Sequence, residues 1–320
     1  VNLVELIDKT NWKQKWHKLG KLSLRQSSIR QFRYCPRKFY HDYIAPRGDD
    51  SWPKPGYFIM GTYFHAMCEE LLLGVEPEPE RLLVRLFKEE GNTKADFSDV
   101  LHRVGNRELF YGDSLDDLAR KTVTYLEAYG LTPERLEKKE RLSFGKMDIT
   151  GTPDIVARHK GTDQRYVLDI KTSGLWKKFF GTGSLSAVKY DTDQITFATQ
   201  LQHYDWMLYR LYGIKADWYG YICPVNFIGN TSGKNKGKMR GDPLMLAPAA
   251  SESQILHIYE SDLYGTAKEI SRCLGDDHFP RSRPETYGKL DCIKCQHRGV
   301  CLGQREMNFN MPDFINEDVG

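Results

Sequence analysis

The segment GTPDIVARHKGTDQRYVLDIKTS, from Gly151 to Ser173, constrains the fold more than any other part of the chain. It reads as two strands joined by a tight turn at Gly161 and Thr162. Side chains alternate between the two faces of a strand. One face then carries Ile155, Ala157, Leu168 and Ile170, a surface that has to be buried. In a hairpin centred on Gly161–Thr162, opposed residues have numbers summing to about 323. Asp154 falls across from Asp169, and Lys171 shares the face of Asp169. Opposed carboxylates with Cβ atoms about 5 Å apart repel and weaken a sheet. A cation between them removes that cost, and oxygen ligands suit Mg²⁺ or Mn²⁺. Lys171 beside such an ion would orient or deprotonate a water, or neutralise charge developing on a phosphate. On the hairpin alone, two solvent-exposed acids account for the pattern as well as a metal site does.

The rest of the chain supplies context. Ser28 with Gln31 fits a capping box, so a helix is expected to start near Ile29 and to break at Pro36. From Gly61 to Leu136 the apolar spacing is mostly helical. RLSFGKMDI, GTPDIVARH and RYVLDIKTS read as strands, QITFATQLQHYDWMLYRLY as a helix near 194–212, KADWYGYICPV as a strand, and 251–274 as a final helix. The order implies a mixed α/β core with a helical insertion. With 40% hydrophobic and 28% charged residues the chain can bury a sizeable core, and a net charge of +3 names no partner by itself. No run of 18 apolar residues occurs and the start lacks an apolar signal core, which leads to the expectation of a soluble cytoplasmic protein with no membrane partner. In a reducing compartment clustered cysteines hold metal more often than they form disulfides.

Pro153-Asp154 followed by Asp169-Ile170-Lys171 resembles the signature of the PD-(D/E)XK nuclease superfamily. GTYFHAMCEE resembles the upstream helix of that family with its metal-binding histidine, here His65. QLQHY matches the Q-x-x-x-Y motif of the RecB-like branch, here Gln200 and Tyr204, which share one helix face. One cysteine, Cys35 in YCPRKFY, precedes this core. Three follow it as C-x₂-C-x₅-C: Cys292, Cys295 and Cys301. That pattern is similar to the iron–sulfur members of the branch, such as the AddB nuclease domain and the CRISPR-associated RecB-like exonucleases.

The resemblance implies a restriction-endonuclease-like core in which His65, Asp154, Asp169 and the Ile170 carbonyl hold Mg²⁺ or Mn²⁺. It implies that Lys171 is the catalytic lysine, that Gln200 and Tyr204 position the strand, and that Cys35, Cys292, Cys295 and Cys301 bind a structural [4Fe–4S] cluster. Glu140 stands where such enzymes often carry a further acid. The implied activity is a metal-dependent deoxyribonuclease, an exonuclease on single-stranded DNA or DNA ends in a bacterial, archaeal or phage-infected cell. The layout expected is a lead-in over 1–26, the first part of a cysteine clasp over 27–60, and a helical subdomain over 61–136. The nuclease core then covers 137–224, a basic loop 225–250, and the last helix with the cysteine cluster 251–320.

Several features carry two readings. Lys234, Lys236, Lys238 and Arg240 form either a solvated loop or a clamp on a phosphate backbone. LWKKFF at 175–180 suits half-buried packing or stacking on a single strand. Gln202 and His203 offer polar groups for DNA contact, while Cys68, Cys223 and Cys273 read as buried filler. His297 is the zinc alternative to Cys35. GNTSGKNKG from Gly229 lacks the Ser or Thr that a Walker A lysine needs after it. Any translocation would then come from a helicase, recombinase or CRISPR-adaptation partner. The other functional classes are a non-catalytic DNA-binding module on a nuclease fold and a zinc-stabilised structural protein.

Overall fold

A computed structural model describes residues 22–44, 56–90, 114–144, 147–172, 189–228, 238–276, 278–280, 295, 297 and 301. In chain order the elements are β1 (Leu22–Arg25), α1 (Gln26–Tyr34), α2 (Pro36–Phe39), α3 (Gly56–Leu72), α4 (Pro79–Glu90), α5 (Leu115–Ala128), β2 (Leu131–Leu136), β3 (Glu140–Phe144), β4 (Met147–Gly151), β5 (Ile155–His159), β6 (Arg165–Ile170), α6 (Thr192–Thr196), α7 (Thr199–Tyr212), β7 (Trp218–Ile222), β8 (Leu244–Pro248) and α8 (Glu260–Gly275). Contacts divide the chain into a smaller unit, drawn from 1–20, 27–47 and 265–320, and a larger one, drawn from 21–26 and 48–264.

The larger unit is built on a five-stranded sheet in the order β2-β5-β6-β7-β8. β6 and β7 are parallel and the other neighbours antiparallel, so the sheet is mixed. A second sheet, β1-β4-β3, pairs β1 parallel to β4. The hairpin register is the one expected: Ile155 pairs with Leu168, Val156 with Val167 and Ala157 with Tyr166. Ile155, Ala157, Leu168 and Ile170 are buried in one apolar cluster with Tyr63, Phe64 and Met67 of α3, Leu82 and Leu83 of α4, and Leu115, Leu118 and Leu126 of α5. Each such side chain contributes about 1.5–3 kcal/mol by leaving water. α7 packs on β6, β3 and β4. It is fastened by polar residues that its sequence leaves without solvent. Asp205 accepts hydrogen bonds from the Ala216 N–H at 2.9 Å and the Tyr219 hydroxyl at 2.6 Å, and Trp206 donates to Glu260 at 3.1 Å.

Four readings of the sequence need correction. The first helix begins at Gln26, directly off β1, and Ser28 is buried within its first turn, so it does not cap. The break at Pro36 is as expected: Cys35 is extended and Pro36 opens α2, where its missing N–H costs nothing. Residues 131–136 are an edge strand rather than the end of the helical stretch. Gly130, at φ 87, stops the chain after α5, and Pro133 forbids a helix interior and sits at a bulge in the β2–β5 pairing. RLSFGKMDI is a hairpin, β3 against β4, not one strand. Within 225–250, expected to be loop, Leu244–Pro248 forms β8 and completes the sheet beside β7.

The smaller unit brings distant parts of the sequence together. Phe39 stacks on Phe279 with centroids 6.3 Å apart, and Phe32 meets both edge-on. The Arg37 N–H donates to the Pro280 carbonyl at 3.0 Å. Among the described residues no helix is long and apolar enough to cross a membrane.

Candidate metal centre and its catalytic surround

Asp154 lies one residue before β5 and Asp169 one residue before the end of β6, so the register places them at the same end of the hairpin. Both are buried, at 7% and 2% exposure. The Asp154 Oδ2 accepts a hydrogen bond from the Ile170 N–H at 2.7 Å. His65 enters from α3, with Nδ1 3.5 Å from the same Asp154 oxygen and 3.2 Å from Oε1 of Glu137. Glu137 follows β2 directly and holds φ at 41, a conformation that costs a non-glycine residue about 1–3 kcal/mol. Its N–H donates to the Asp154 carbonyl at 3.1 Å, and its carboxylate is thereby turned onto the end of the hairpin.

His65, Glu137 and Asp154 each offer a ligand atom, and these lie within 4.8 Å of one another. A divalent ion with ligands at about 2.1 Å in octahedral geometry has adjacent donors about 3 Å apart. The spacings of 3.2 and 3.5 Å fit that edge. Beside this group the buried Asp169 Oδ2 lies 2.6 Å from Lys171 Nζ, so the lysine ammonium pairs with that oxygen.

Around Asp169 the donors are ordered. Lys171 Nζ donates to Gln200 Oε1 at 2.9 Å, and Gln200 Nε2 reaches Asp169 Oδ1 at 2.6 Å and the Tyr204 hydroxyl at 3.0 Å. Lys171 also stands 4.9 Å from the centre of the Tyr221 ring. Asp154, Asp169, Lys171, Gln200, Tyr204 and His65 are thus gathered into one site. Ile170 enters it through its N–H. The sequence reading missed Glu137, which sits in the charged run LEKKE and looks like a solvated turn. Glu140, three residues on, is instead buried between Arg135 at 2.9 Å and the Tyr212 hydroxyl at 2.6 Å. His203 is withdrawn from any DNA contact. It is fully buried, bonded to the Tyr259 hydroxyl at 2.6 Å and the Thr150 carbonyl at 3.1 Å. Cys68, Cys223 and Cys273 are buried, as filler should be.

The remaining candidates lie elsewhere. Lys238 is exposed, and the Arg240 N–H donates to the Asn226 carbonyl at 3.0 Å. Lys234, Lys236, residues 175–180 and Cys292 fall outside the described residues. In the smaller unit Cys35 caps α2, its Sγ accepting the Lys38 N–H at 3.4 Å. Burial raises the Cys295 thiol, and Cys35 and Cys301 lie near enough to raise it further. His297 is held by Asp42, with Nε2 2.6 Å from Oδ1, and stacks on His41.

Electrostatics in the metal centre favour protons when no ion is present. Burial raises both Asp154 and Asp169, and their neighbouring carboxylates add to it. Burial alone would lower His65, but Asp154 and the hydrogen bond to Glu137 outweigh it and push it up to about 9. The folded state therefore holds protons that the unfolded chain has released. Its stability falls as pH rises above the ordinary carboxylate range. The His65 contribution is complete below its ordinary 6.5 and is lost as pH rises through about 9. Metal-free protein is expected to lose melting temperature steadily from about pH 5 to pH 9, and His65→Gln to flatten the end of that profile near pH 9. A thermal-melt series across this range checks both, and a flat wild-type profile above pH 6.5 contradicts them.

No curated protein matches this chain. A crystal structure of a protein from Eubacterium rectale, provisionally named an exonuclease, is similar at 11% identity, covers 92% of each chain and gives a TM-score of 0.40. The family model of the PD-(D/E)XK nuclease superfamily matches residues 23–302. The opposed acids, the lysine two residues on and this match together identify the chain as a member of the PD-(D/E)XK nuclease superfamily.

Proposed function

We propose that this protein is a Mg²⁺- or Mn²⁺-dependent deoxyribonuclease of the RecB-like branch, acting as an exonuclease on single-stranded DNA or DNA ends. One observation carries the reading. The ordered chain Lys171–Gln200–Asp169 abuts the His65–Glu137–Asp154 triad, so a cation site and a proton-handling amine share one buried end of a hairpin. His65, Asp154, Asp169 and the Ile170 carbonyl would hold the ion, with Glu137 as a further ligand. The chemistry such an ion would supply there is polarisation of a phosphate and a lowered pKa for bound water. Lys171, 2.6 Å from Asp169, is placed to take up a proton or to meet charge developing on the phosphate. Gln200 fixes the Lys171 amine by accepting from it, and Tyr204 presents its hydroxyl beside Gln200 for the strand. A non-catalytic binding module has no use for opposed acids, which weaken its sheet. Translocation along DNA would come from a helicase, recombinase or CRISPR-adaptation partner.

The smaller unit is read as the seat of a [4Fe–4S] cluster on Cys35, Cys292, Cys295 and Cys301. Its aromatic core already brings Cys35 near Cys295 and Cys301, and the Lys38 N–H bond to the Cys35 sulfur suits a thiolate.

Asp169→Asn and Lys171→Ala should each cut Mn²⁺-dependent cleavage of end-labelled DNA by about a thousandfold or more, with the fold and any cluster retained. Comparable cleavage in either variant excludes the reading. A time course on strands labelled at either end separates exonuclease from endonuclease products. For the cluster, protein purified anaerobically should be brown and absorb near 400 nm. Cys35→Ala should lose that absorbance and the bound iron, whereas His297→Ala should keep both. The opposite pattern, or a colourless zinc protein, removes the cluster from the account.

A further inference from the structure

A cavity of about 620 Å³ is lined by Glu134, Arg135, Leu136, Lys138, Arg165 and Ile214. Leu136 and Lys138, the chain neighbours of Glu137, form part of its lining. Its volume is that of a pocket for an organic ligand and far exceeds what a lone phosphate fills. The lining holds three cations against one acid. Glu134 is already neutralised, because one oxygen receives the Arg158 Nε at 2.7 Å and the other the Arg165 Nε at 3.1 Å. Arg135 is a fixed wall, bonded to Glu140 and stacked 3.9 Å over the Tyr212 ring. Two sets of donors are left. Among the described residues, the terminal guanidinium nitrogens of Arg165 make no hydrogen bond, and Lys138 approaches only the Tyr212 ring, at 5.9 Å. Leu136 and Ile214 add apolar surface beside them.

We propose that this cavity is a subsite for one nucleotide unit of the strand being cleaved. Lys138 and Arg165 bind its phosphate, and Leu136 and Ile214 receive its sugar or base. Arg165 pairs across the hairpin with Arg158, three residues along β5 from the Ile155 that faces Leu136. Arg165 also stands four residues before Asp169 on β6, roughly 13 Å along the strand at about 3.3 Å per residue, so the phosphate held is a flanking one and not the scissile one. Paired cationic donors with apolar walls suit a nucleotide better than an inorganic anion. This assignment rests on the nuclease reading for its substrate, but its test does not need cleavage.

The measurement is binding of a short fluorescent single-stranded oligodeoxynucleotide by anisotropy, in EDTA, over a series of salt concentrations. Lys138→Ala and Arg165→Ala should each weaken binding about tenfold at low salt and lower the salt slope by about 1. Lys268→Ala, on an exposed face of α8, should change neither. Among the described residues Lys138 makes no hydrogen bond or ion pair and meets only the Tyr212 ring, so its variant stays informative if Arg165→Ala loses stability through Glu134. Unchanged affinity and slope in Lys138→Ala overturn the proposal. So does a loss of thymidine monophosphate binding in the variants while the oligonucleotide slope stays intact, since the cavity then takes free nucleotide instead of strand. Wild-type protein that shows the predicted slopes but cleaves nothing in Mn²⁺ would refute the catalytic reading and leave the subsite standing.

Discussion

Asp154 and Asp169 are forced to meet because the other face of their hairpin is committed to the core. A slip of one residue would turn Ile155, Ala157, Leu168 and Ile170 outward. Their burial is worth about 1.5–3 kcal/mol each, whereas a like-charge pair across two strands costs about 0.2–1 kcal/mol before desolvation is counted. Apolar burial therefore decides the register and the acids bear the consequence. Without an ion, burial raises both carboxyls, with Glu137 adding to Asp154 and Asp154 to Asp169, while the acid charge around His65 raises the imidazole. A cation that displaces the protons these groups hold turns the same repulsion into a binding site.

The second support of the site is α7. Its outer half is fastened by Asp205, Trp206 and His203 to Tyr219, Glu260, Tyr259 and the Thr150 carbonyl. Gln200 and Tyr204, one turn apart on the same rod, are thereby delivered to Asp169 without depending on a loop. Gly151 allows this close approach. A Cβ there would stand 2.9 Å from the Met207 sulfur and 3.2 Å from the Tyr204 ring. The geometry of the catalytic groups is thus carried by a strand pair and a helix, the two most rigid kinds of element available.

Much of this was legible in the sequence because it rests on period and spacing. The alternation in GTPDIVARHKGTDQRYVLDIKTS yields the register, and the four-residue step from Gln200 to Tyr204 yields their shared face. Glu137 was not legible, since its role depends on a positive φ that no side-chain pattern announces. β2 and β8 were missed for a related reason. Edge strands bury one face at most, and β2 is interrupted by Pro133, so neither shows a clean alternation. Ser28 misled because a capping pattern does not say where the helix begins, and the helix starts two residues earlier, at Gln26.

The central claim is that the buried end of the β5–β6 hairpin is a metal centre. Electron paramagnetic resonance of Mn²⁺ titrated into the metal-free protein tests it most directly, because bound Mn²⁺ loses the six-line signal of the free ion. The account predicts saturable loss of that signal at neutral pH, weakening as pH falls and the carboxyls regain their protons, and abolished in Asp154→Asn. An undiminished free-ion signal, or binding that survives Asp154→Asn unchanged, would contradict it.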